Sequence, residues 1–355
     1  MNKPLLPYSR QSIDIKDIKS VEKVLRSDLI TTGPVLKLFE KSIKSFCNSR
    51  FSISTNSGTS ALHIACLALG IKKGDIVWTT PITFAASANC ALYCGAKIDF
   101  VDIDLETFNI SIEILEKKLE NSKRKKKLPK VLIPVHLAGQ SCEMDKIKKL
   151  SIKYGFSIIE DASHAFGGKF KNSLIGSCKY SDITVFSFHP VKTITTGEGG
   201  VAVTNNQILA KKMITFREHG IVRNPKDFVG KSHGNWFYQQ QNLGYNYRLS
   251  DIHAALGLSQ IKKVNQFIKK RNLIAKYYKN ELKKLPIIFQ KKKSNAISTV
   301  HLFIILVPQK IHKKLFDFLR ARKIFVNIHY IPVHLHPYYK SLGFLRTQFK
   351  NSLNY

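Results

Sequence analysis

The sequence predicts an α/β protein: a mostly parallel sheet covered by helices on both faces in a large three-layer domain, followed by a small α+β domain. Two observations predict it. Through the first two-thirds of the chain, apolar runs of strand length alternate with helical patterns, as right-handed β-α-β units do. From about Leu249 that alternation gives way to a long helical stretch and then a shorter mixed segment.

The strand-length runs are residues 51–54, 75–78, 98–101, 131–135, 157–160 and 183–188. Helical patterns fall between several of them, at 59–69, 85–93 and 143–154. Beyond them, 249–285 reads as helix and Lys291-Lys292-Lys293 as a polar break. A strand at 300–307, a helix at 311–321 and a strand at 324–328 are expected to follow. The division expected is therefore 1–248 for an N-terminal segment and the large domain, and 249–355 for a long helix and the small domain. In sheets of this type ligands bind beyond the C-terminal ends of the strands.

A chain of 355 residues is too long for one small core, and its apolar fraction of 44% is ordinary for a globular protein. The richest apolar stretch, 300–307, is too short to cross a membrane. Met1-Asn2-Lys3-Pro4 leads into polar sequence with no apolar export signal, so a cytoplasmic location is expected. Six cysteines (Cys47, Cys66, Cys90, Cys94, Cys142 and Cys178) include no Cys-x-x-Cys pair and read as buried free thiols. Cys90 and Cys94 lie one helical turn apart without further metal ligands nearby in sequence, and no metal is expected. The formal charge of +33 invites a nucleic-acid reading. The lysines are spread through nearly every segment, however, which fits a solvated surface that attracts a small anionic substrate.

Four local patterns carry chemistry. In Asn56-Ser57-Gly58-Thr59-Ser60, a strand ends and a helix begins, and backbone N–H groups with hydroxyls can hold a phosphate there. Ser and Thr also cap helices with no ligand present. In Glu160-Asp161-Ala162-Ser163-His164, a carboxylate closes an apolar strand and needs a cationic or hydrogen-bonding partner; His164 stands close behind it. In Ser187-Phe188-His189-Pro190-Val191-Lys192-Thr193, a lysine sits in a loop backed by Gly197-Glu198-Gly199-Gly200, where a lowered pKa would make it an amine nucleophile. In Gly244-Tyr245-Asn246-Tyr247-Arg248-Leu249-Ser250-Asp251, Asn246 and Arg248 suit an anion, and the same residues also read as a turn and a capped helix start.

Together the four resemble the DegT/DnrJ/EryC/StrS sugar aminotransferases, which are fold-type I pyridoxal-phosphate enzymes, from about Tyr8 to the end of the chain. The resemblance implies pyridoxal 5'-phosphate as cofactor, with Lys192 as the Schiff-base lysine and proton shuttle. It implies that Asp161 pairs with the pyridine nitrogen, that Phe84 lies against the ring, and that Gly58, Thr59 and Ser187 hold the phosphate. Asn246 would reach the phosphate of a neighbouring subunit, which implies a homodimer with shared active sites.

A narrower likeness, in residues 187–200 and in His329-Tyr330-Ile331-Pro332-Val333-His334, is to the branch serving pseudaminic acid synthesis. It implies transfer of nitrogen from L-glutamate to C4 of a UDP-linked 4-keto-6-deoxy-N-acetylhexosamine. Tyr8, Asp28, Leu29, Ile30, Thr31, Gly58, Ser187, Asn246, Ile328, His329, Tyr330 and Ile331 would then touch the nucleotide-sugar. Relatives of this branch continue past the position of Tyr355, so the small domain is expected to be incomplete. Dehydratase relatives carry histidine in place of the lysine, and Lys192 favours transamination. Transfer to another nucleotide-linked 3- or 4-keto sugar, or a basic regulator that kept only the fold, are the competing readings.

Overall fold

The computed structural model describes residues 5–355; Met1–Pro4, read above for an export signal, lie outside the described residues. Seven strands form the main sheet: β1 (Phe51–Thr55), β2 (Ile76–Thr79), β3 (Lys97–Phe100), β4 (Val131–Leu132), β5 (Ser157–Asp161), β6 (Ile183–Ser187) and β7 (Gly200–Thr204). Their order is β1-β7-β6-β5-β4-β2-β3. The run from β6 to β3 is parallel, and β7 lies antiparallel to both β6 and β1. The α/β class and the mostly parallel sheet are as the sequence predicts.

Side chains alternate across this sheet because successive residues of a strand point to opposite faces. Val77, Ile133, Ile159, Val185 and Ala202 face one helical layer, made by α3 (Gly58–Ala68), α4 (Ala86–Tyr93) and α7 (Gln207–Arg217). On the other face Phe186, Val201 and Val203 meet α2 (Pro34–Cys47), while Trp78, Leu132 and Ile158 meet α5 (Ile112–Arg124) and α6 (Met144–Tyr154). Ahead of α2 stands α1 (Ile15–Leu25).

Within the expected 249–285 helix there are two pieces, α8 (Asp251–Gln260) and α9 (Val264–Leu282), with a 3-10 turn at Ile261–Lys263 between them. Helix α8 packs on α1 and α2. Its Asp251 caps α2 from outside: the carboxylate accepts from the N–H groups of Gly33 (2.8 Å), Val35 (2.8 Å) and Leu36 (3.0 Å). That satisfies donors which a helix N-terminus leaves open.

Two expected strands are largely absent. Of 300–307 only Ile305–Leu306 is paired, with Ile288–Phe289, and of 324–328 only Ile324 bridges, to Leu6. Residues 299 and 301 instead bond to the chain at Gly139 and Ala138, and Val300 takes a positive φ of 46° between them. These anchors pull the segment out of a ladder and against the end of β5. Helix α10 (Gln309–Ala321) forms as expected. The last residues return to the large sheet through α11 (Pro337–Ser341) and α12 (Lys350–Asn354), where Val333, Tyr339 and Phe349 join the core beside α4 and β3. Among the described residues no helix is long and apolar enough to cross a membrane.

Candidate active site

Chemistry-bearing side chains collect beyond the C-terminal ends of β5 and β6, where an α/β sheet places its ligands. Asp161 ends β5 and is buried. Its Oδ2 accepts from Ser87 Oγ at 2.6 Å, and its Oδ1 accepts from the Ser163 N–H at 3.1 Å. Ser87 is itself fixed by Thr83 Oγ1 at 2.7 Å. Helix α4 therefore aims one hydroxyl through its buried face to hold this carboxylate.

Lys192 sits five residues past β6 in a turn where its N–H bonds to the His189 carbonyl at 2.9 Å. Burial pushes its amine down to about 8 from an ordinary 10.5, and the nearby Asp161 carboxylate only partly opposes this. Such a lysine offers a neutral amine far more readily than a surface lysine does.

His164 is held by three neighbours. Its Nδ1 accepts from the Ala138 N–H at 3.3 Å, its Nε2 lies 3.2 Å from Tyr330 Oη, and its ring is 4.4 Å from that of His301. Burial, followed by the charges of Lys192, His301 and His329, keeps its pKa well below the usual histidine range. The imidazole is neutral, and with Nδ1 accepting, its proton sits on Nε2 towards Tyr330. His301 and His329 are depressed in the same way, by burial first and Lys192 next. Tyr330 is pushed upward by burial and then by Asp161. Lys192, Asp161 and Tyr330 thus belong to one electrostatic neighbourhood with three histidines.

The sheet end also meets the start of α3. A Cβ on Gly58 would stand 2.9 Å from Ser187 Cβ, and one on Gly200 would stand 2.3 Å from the Ser57 carbonyl oxygen. Glycine is required at both places for α3 to approach β6 and β7 this closely. The first amides of an 11-residue helix, capped by Ser57, are in this way laid beside Ser187. Thr59 is the second residue of that helix.

The structure brings together Lys192, Asp161, His164, His329 and Tyr330, and Gly58 with Ser187. Tyr8 joins them, its ring 5.7 Å from His329. Phe84 is 62% exposed and 6.3 Å from the Tyr330 ring, so its face is free for a ligand. Ile328 and Ile331 are exposed at the rim. Asn246 is exposed, and its carbonyl accepts from Asn56 Nδ2 at 3.4 Å. Asp28, Leu29, Ile30 and Thr31 are also exposed, ahead of α2, and Ile30 is tied by its carbonyl to the start of α8. Neither segment has a hydrogen bond to the Lys192 cluster among the described residues.

Three residues of the cluster escape a sequence reading: Ser87, Thr83 and His301. A buried polar residue in an otherwise apolar helix, as Ser87 is, is the signal that exposes such a role. His301 lies inside a stretch read as a core strand. A cavity of about 370 Å³ is lined by Pro190 and residues 192–195, and of the cluster it reaches only Tyr8, Lys192 and His301. Asp161 and the hydroxyls of Ser87 and Thr83 do not line that cavity. Among the described residues no group of three or more His, Cys, Asp or Glu is arranged to hold a metal ion.

The chain is similar to known proteins in sequence and in fold. The model of the DegT/DnrJ/EryC1/StrS aminotransferase family matches residues 11–355. A Campylobacter jejuni protein, UDP-4-amino-4,6-dideoxy-N-acetyl-beta-L-altrosamine transaminase, is 40% identical over 344 residues, covering 95% of this chain and 87% of that protein. Among solved structures, Helicobacter pylori PseC, an aminotransferase involved in the biosynthesis of pseudoaminic acid, superposes with a TM-score of 0.85 at 34% identity. That match covers 96% of this chain and 88% of that one. The sugar aminotransferase Spr1654 of Streptococcus pneumoniae, described as putative and solved in its PLP form, gives 0.88 at 27% identity over 99% and 91% of the two chains.

Proposed function

Because the chain belongs to the DegT/DnrJ/EryC1/StrS aminotransferase family, we propose that it moves an amino group from L-glutamate to C4 of a UDP-linked 4-keto-6-deoxy-N-acetylhexosamine, with pyridoxal 5'-phosphate as cofactor. The product is then the amino sugar for which the Campylobacter relative is named. The observation that carries the reading is a lysine amine that desolvation lowers to about 8, in the electrostatic range of a carboxylate fixed by two donors.

The residues present fit the cofactor at both ends. At one end, the tight Gly58–Ser187 approach leaves helix amides and a hydroxyl for a phosphate, in a space that a side chain on Gly58 would fill. At the other, Asp161 offers a carboxylate to a protonated ring nitrogen. Bound there, pyridoxal phosphate supplies an electron sink that lets an amino group pass from an amino acid to a ketone.

The chain's own groups do the rest. Lys192 is the residue that would hold the cofactor through its Nζ, and the same amine would carry the proton to and from the reacting carbon. Asp161 would pair with the ring nitrogen and favour its cationic form. Phe84 would cover one side of the ring, while neutral His164 with Tyr330 presents a hydroxyl and an imidazole without adding charge. Tyr8, His329, Tyr330 and the rim residues Ile328 and Ile331 form the wall for the sugar. Asn246 and Asp28–Thr31, exposed in one subunit, serve a neighbour's site in a homodimer, where the exposed Leu29 and Ile30 side chains are covered.

An absorbance spectrum with added pyridoxal phosphate tests this. The expected result is a near-ultraviolet or visible band that borohydride fixes to the peptide containing Lys192, and that glutamate converts to the pyridoxamine form. Lys192→Ala is expected to turn over negligibly. A folded protein that binds the cofactor through a different lysine, or turnover by Lys192→Ala, refutes the assignment.

A further inference from the structure

The cavity beside Lys192 is walled by three parts of the chain. Residues 8–12 cross it, fixed by Ser9 Oγ, which donates to the Val191 carbonyl at 3.1 Å, and by Gln260 Nε2, which donates to the Ser12 carbonyl at 2.9 Å. Pro190 with residues 192–195 forms a second wall, and α9 with Val300 and His301 the third. Arg10, Lys192, Lys270 and Arg271 all line it, and among the described residues no Asp or Glu does.

Arg271 is the least ordinary of these cations. It is half-buried on α9, and its Nη1 donates to the carbonyls of Val300 at 3.3 Å and His301 at 3.2 Å. Those dipoles orient the guanidinium without neutralising it. Among the described residues its Nε and Nη2 have no hydrogen-bond partner, yet they are not sealed from solvent. Burial alone draws its pKa below the usual arginine value, and no carboxylate opposes it. Charges taken out of water are normally paired, because a desolvated ion without a counter-ion is costly. The positive field extends to His301, which burial and then Lys192, Arg271 and His329 hold in its neutral form.

We propose that this cavity binds a dicarboxylate, the L-glutamate donor of the transamination reading, with one carboxylate on the open edge of Arg271. Along that edge Nε and Nη2 present parallel N–H groups, the fork that matches a carboxylate. Arg10 and Lys270, both exposed and so on the solvent side, are left for the second carboxylate. The ligand supplies the negative charge that the lining lacks, in a cavity that Lys192 also lines. Its identity as glutamate rests on the transamination reading; the anion site rests on the cavity and on Arg271.

Size and lining separate the donor from the acceptor. A volume of about 370 Å³ is near the lower end for ligand pockets, which suits an amino acid better than a nucleotide with its sugar. Of the residues assigned above to the sugar wall only Tyr8 lines it; Ile328, His329, Tyr330 and Ile331 do not. A diphosphate is the other anion at hand, but it enters only with its nucleoside attached.

The test is calorimetric titration of the full chain with glutarate, which has both carboxylates of glutamate and no amine to react, and with glutaramide, its uncharged diamide. Glutarate is expected to bind and the diamide is not. Arg271→Gln is expected to weaken glutarate about tenfold or more, and Arg271→Lys, which keeps the charge and loses the fork, to weaken it less. Because Arg271 also holds Val300 and His301, the wild-type chain supplies a check without substitution. There glutarate is expected to slow phenylglyoxal modification of Arg271 and not of the exposed Arg50, as read by peptide mapping. Equal binding of the two probes, an unchanged affinity in folded Arg271→Gln, or failure of glutarate to protect Arg271, including protection by UDP instead, overturns the proposal. None of these readouts needs turnover. A chain that binds glutarate at Arg271 but holds the cofactor on another lysine refutes the transamination reading alone, whereas turnover with Arg271 left unprotected refutes the cavity alone.

Discussion

Ser87 Oγ donates to Asp161 Oδ2 at 2.6 Å, joining helix α4 to the end of β5 at the one carboxylate of the proposed cofactor site. The Ser163 N–H occupies the other oxygen. Removing the hydroxyl leaves the carboxylate held from one side only. A hydrogen bond to a charged acceptor contributes roughly 1.5–3 kcal/mol. Ser87→Ala is therefore expected to weaken cofactor binding and lower turnover about tenfold or more, with the fold intact. Ser87→Thr, which keeps the hydroxyl, recovers part of the loss. Titration of the apoprotein with pyridoxal phosphate checks it, and an unchanged dissociation constant for Ser87→Ala removes the positioning role.

The lowered pKa of Lys192 gives a pH profile with a definite sign. The amine titrates near 8 in the folded chain and near 10.5 when free. Condensation of the apoprotein with the cofactor aldehyde should accelerate as pH rises and level off just above 8. Stability follows the same displacement. Below about 8 the folded chain carries the full cost of a buried ammonium, and that cost fades as pH climbs towards 10.5. Lys192→Met apoprotein is thus expected to unfold at higher denaturant than the wild type at neutral pH, with the difference closing at high pH. A pH-independent difference would mean that the amine is not destabilised by burial.

Much of this architecture is legible in the sequence because β-strands buried on both faces are written as apolar runs. Residues 51–54, 157–160 and 183–188 lie within a residue or so of β1, β5 and β6. Lys192, Asp161 and His164 are legible for a related reason: polar residues that directly follow such runs fall at the ligand-binding end of the sheet. What fails is non-local. Residues 300–307 have strand composition, yet bonds from Thr299 and His301 to Gly139 and Ala138 decide their path. Strand β7 begins in the glycine-rich stretch Gly197–Gly200 and was not expected, because its first residue is chosen for the approach of Ser57 rather than for pairing. Ser87 shows only as a polar residue in a largely apolar helix, and nothing local to α4 announces that its partner is a carboxylate 74 residues away. Asp251 belongs to a motif read for ligand binding, and its carboxylate caps α2 instead.

Beneath Asp161 lies a buried polar group whose loss should show in stability. Glu160 accepts from His136 Nε2 at 2.8 Å, Ser181 Oγ at 2.5 Å and Thr184 Oγ1 at 3.0 Å. His136 Nδ1 accepts from the Cys142 N–H at 3.2 Å, so its ring proton lies on Nε2 and points at the carboxylate. Burial opposes ionisation of Glu160, but the His136 bond and the two hydroxyls together hold its pKa below the usual value. Its stabilisation is present above the ordinary glutamate pKa of 4.5 and is lost as pH falls through and below that value. Glu160→Leu is expected to cost about 3 kcal/mol at neutral pH, since three buried donors lose their acceptor. The deficit should shrink on acidification, as measured by urea denaturation; a deficit equal at both pH values would refute the charge argument.

Gly58 offers the sharpest test of how the phosphate end is built. Its missing side chain lets α3 approach β6 so closely that a Cβ would lie 2.9 Å from Ser187 Cβ. Ala is a good helix residue, so the first turn of α3 gains propensity from Gly58→Ala while the packing loses. Overpacking of this kind costs about 1–3 kcal/mol, more than propensity returns, and the strain falls where the helix amides meet Ser187. Gly58→Ala is expected to lower stability modestly and cofactor affinity more strongly. The two effects separate in a double mutant. Gly58→Ala with Ser187→Gly removes the colliding carbon, so stability should recover, whereas affinity should not, because the Ser187 hydroxyl is gone. Recovery of both would mean that Ser187 acts only by filling space; recovery of neither would place the obstruction elsewhere along α3.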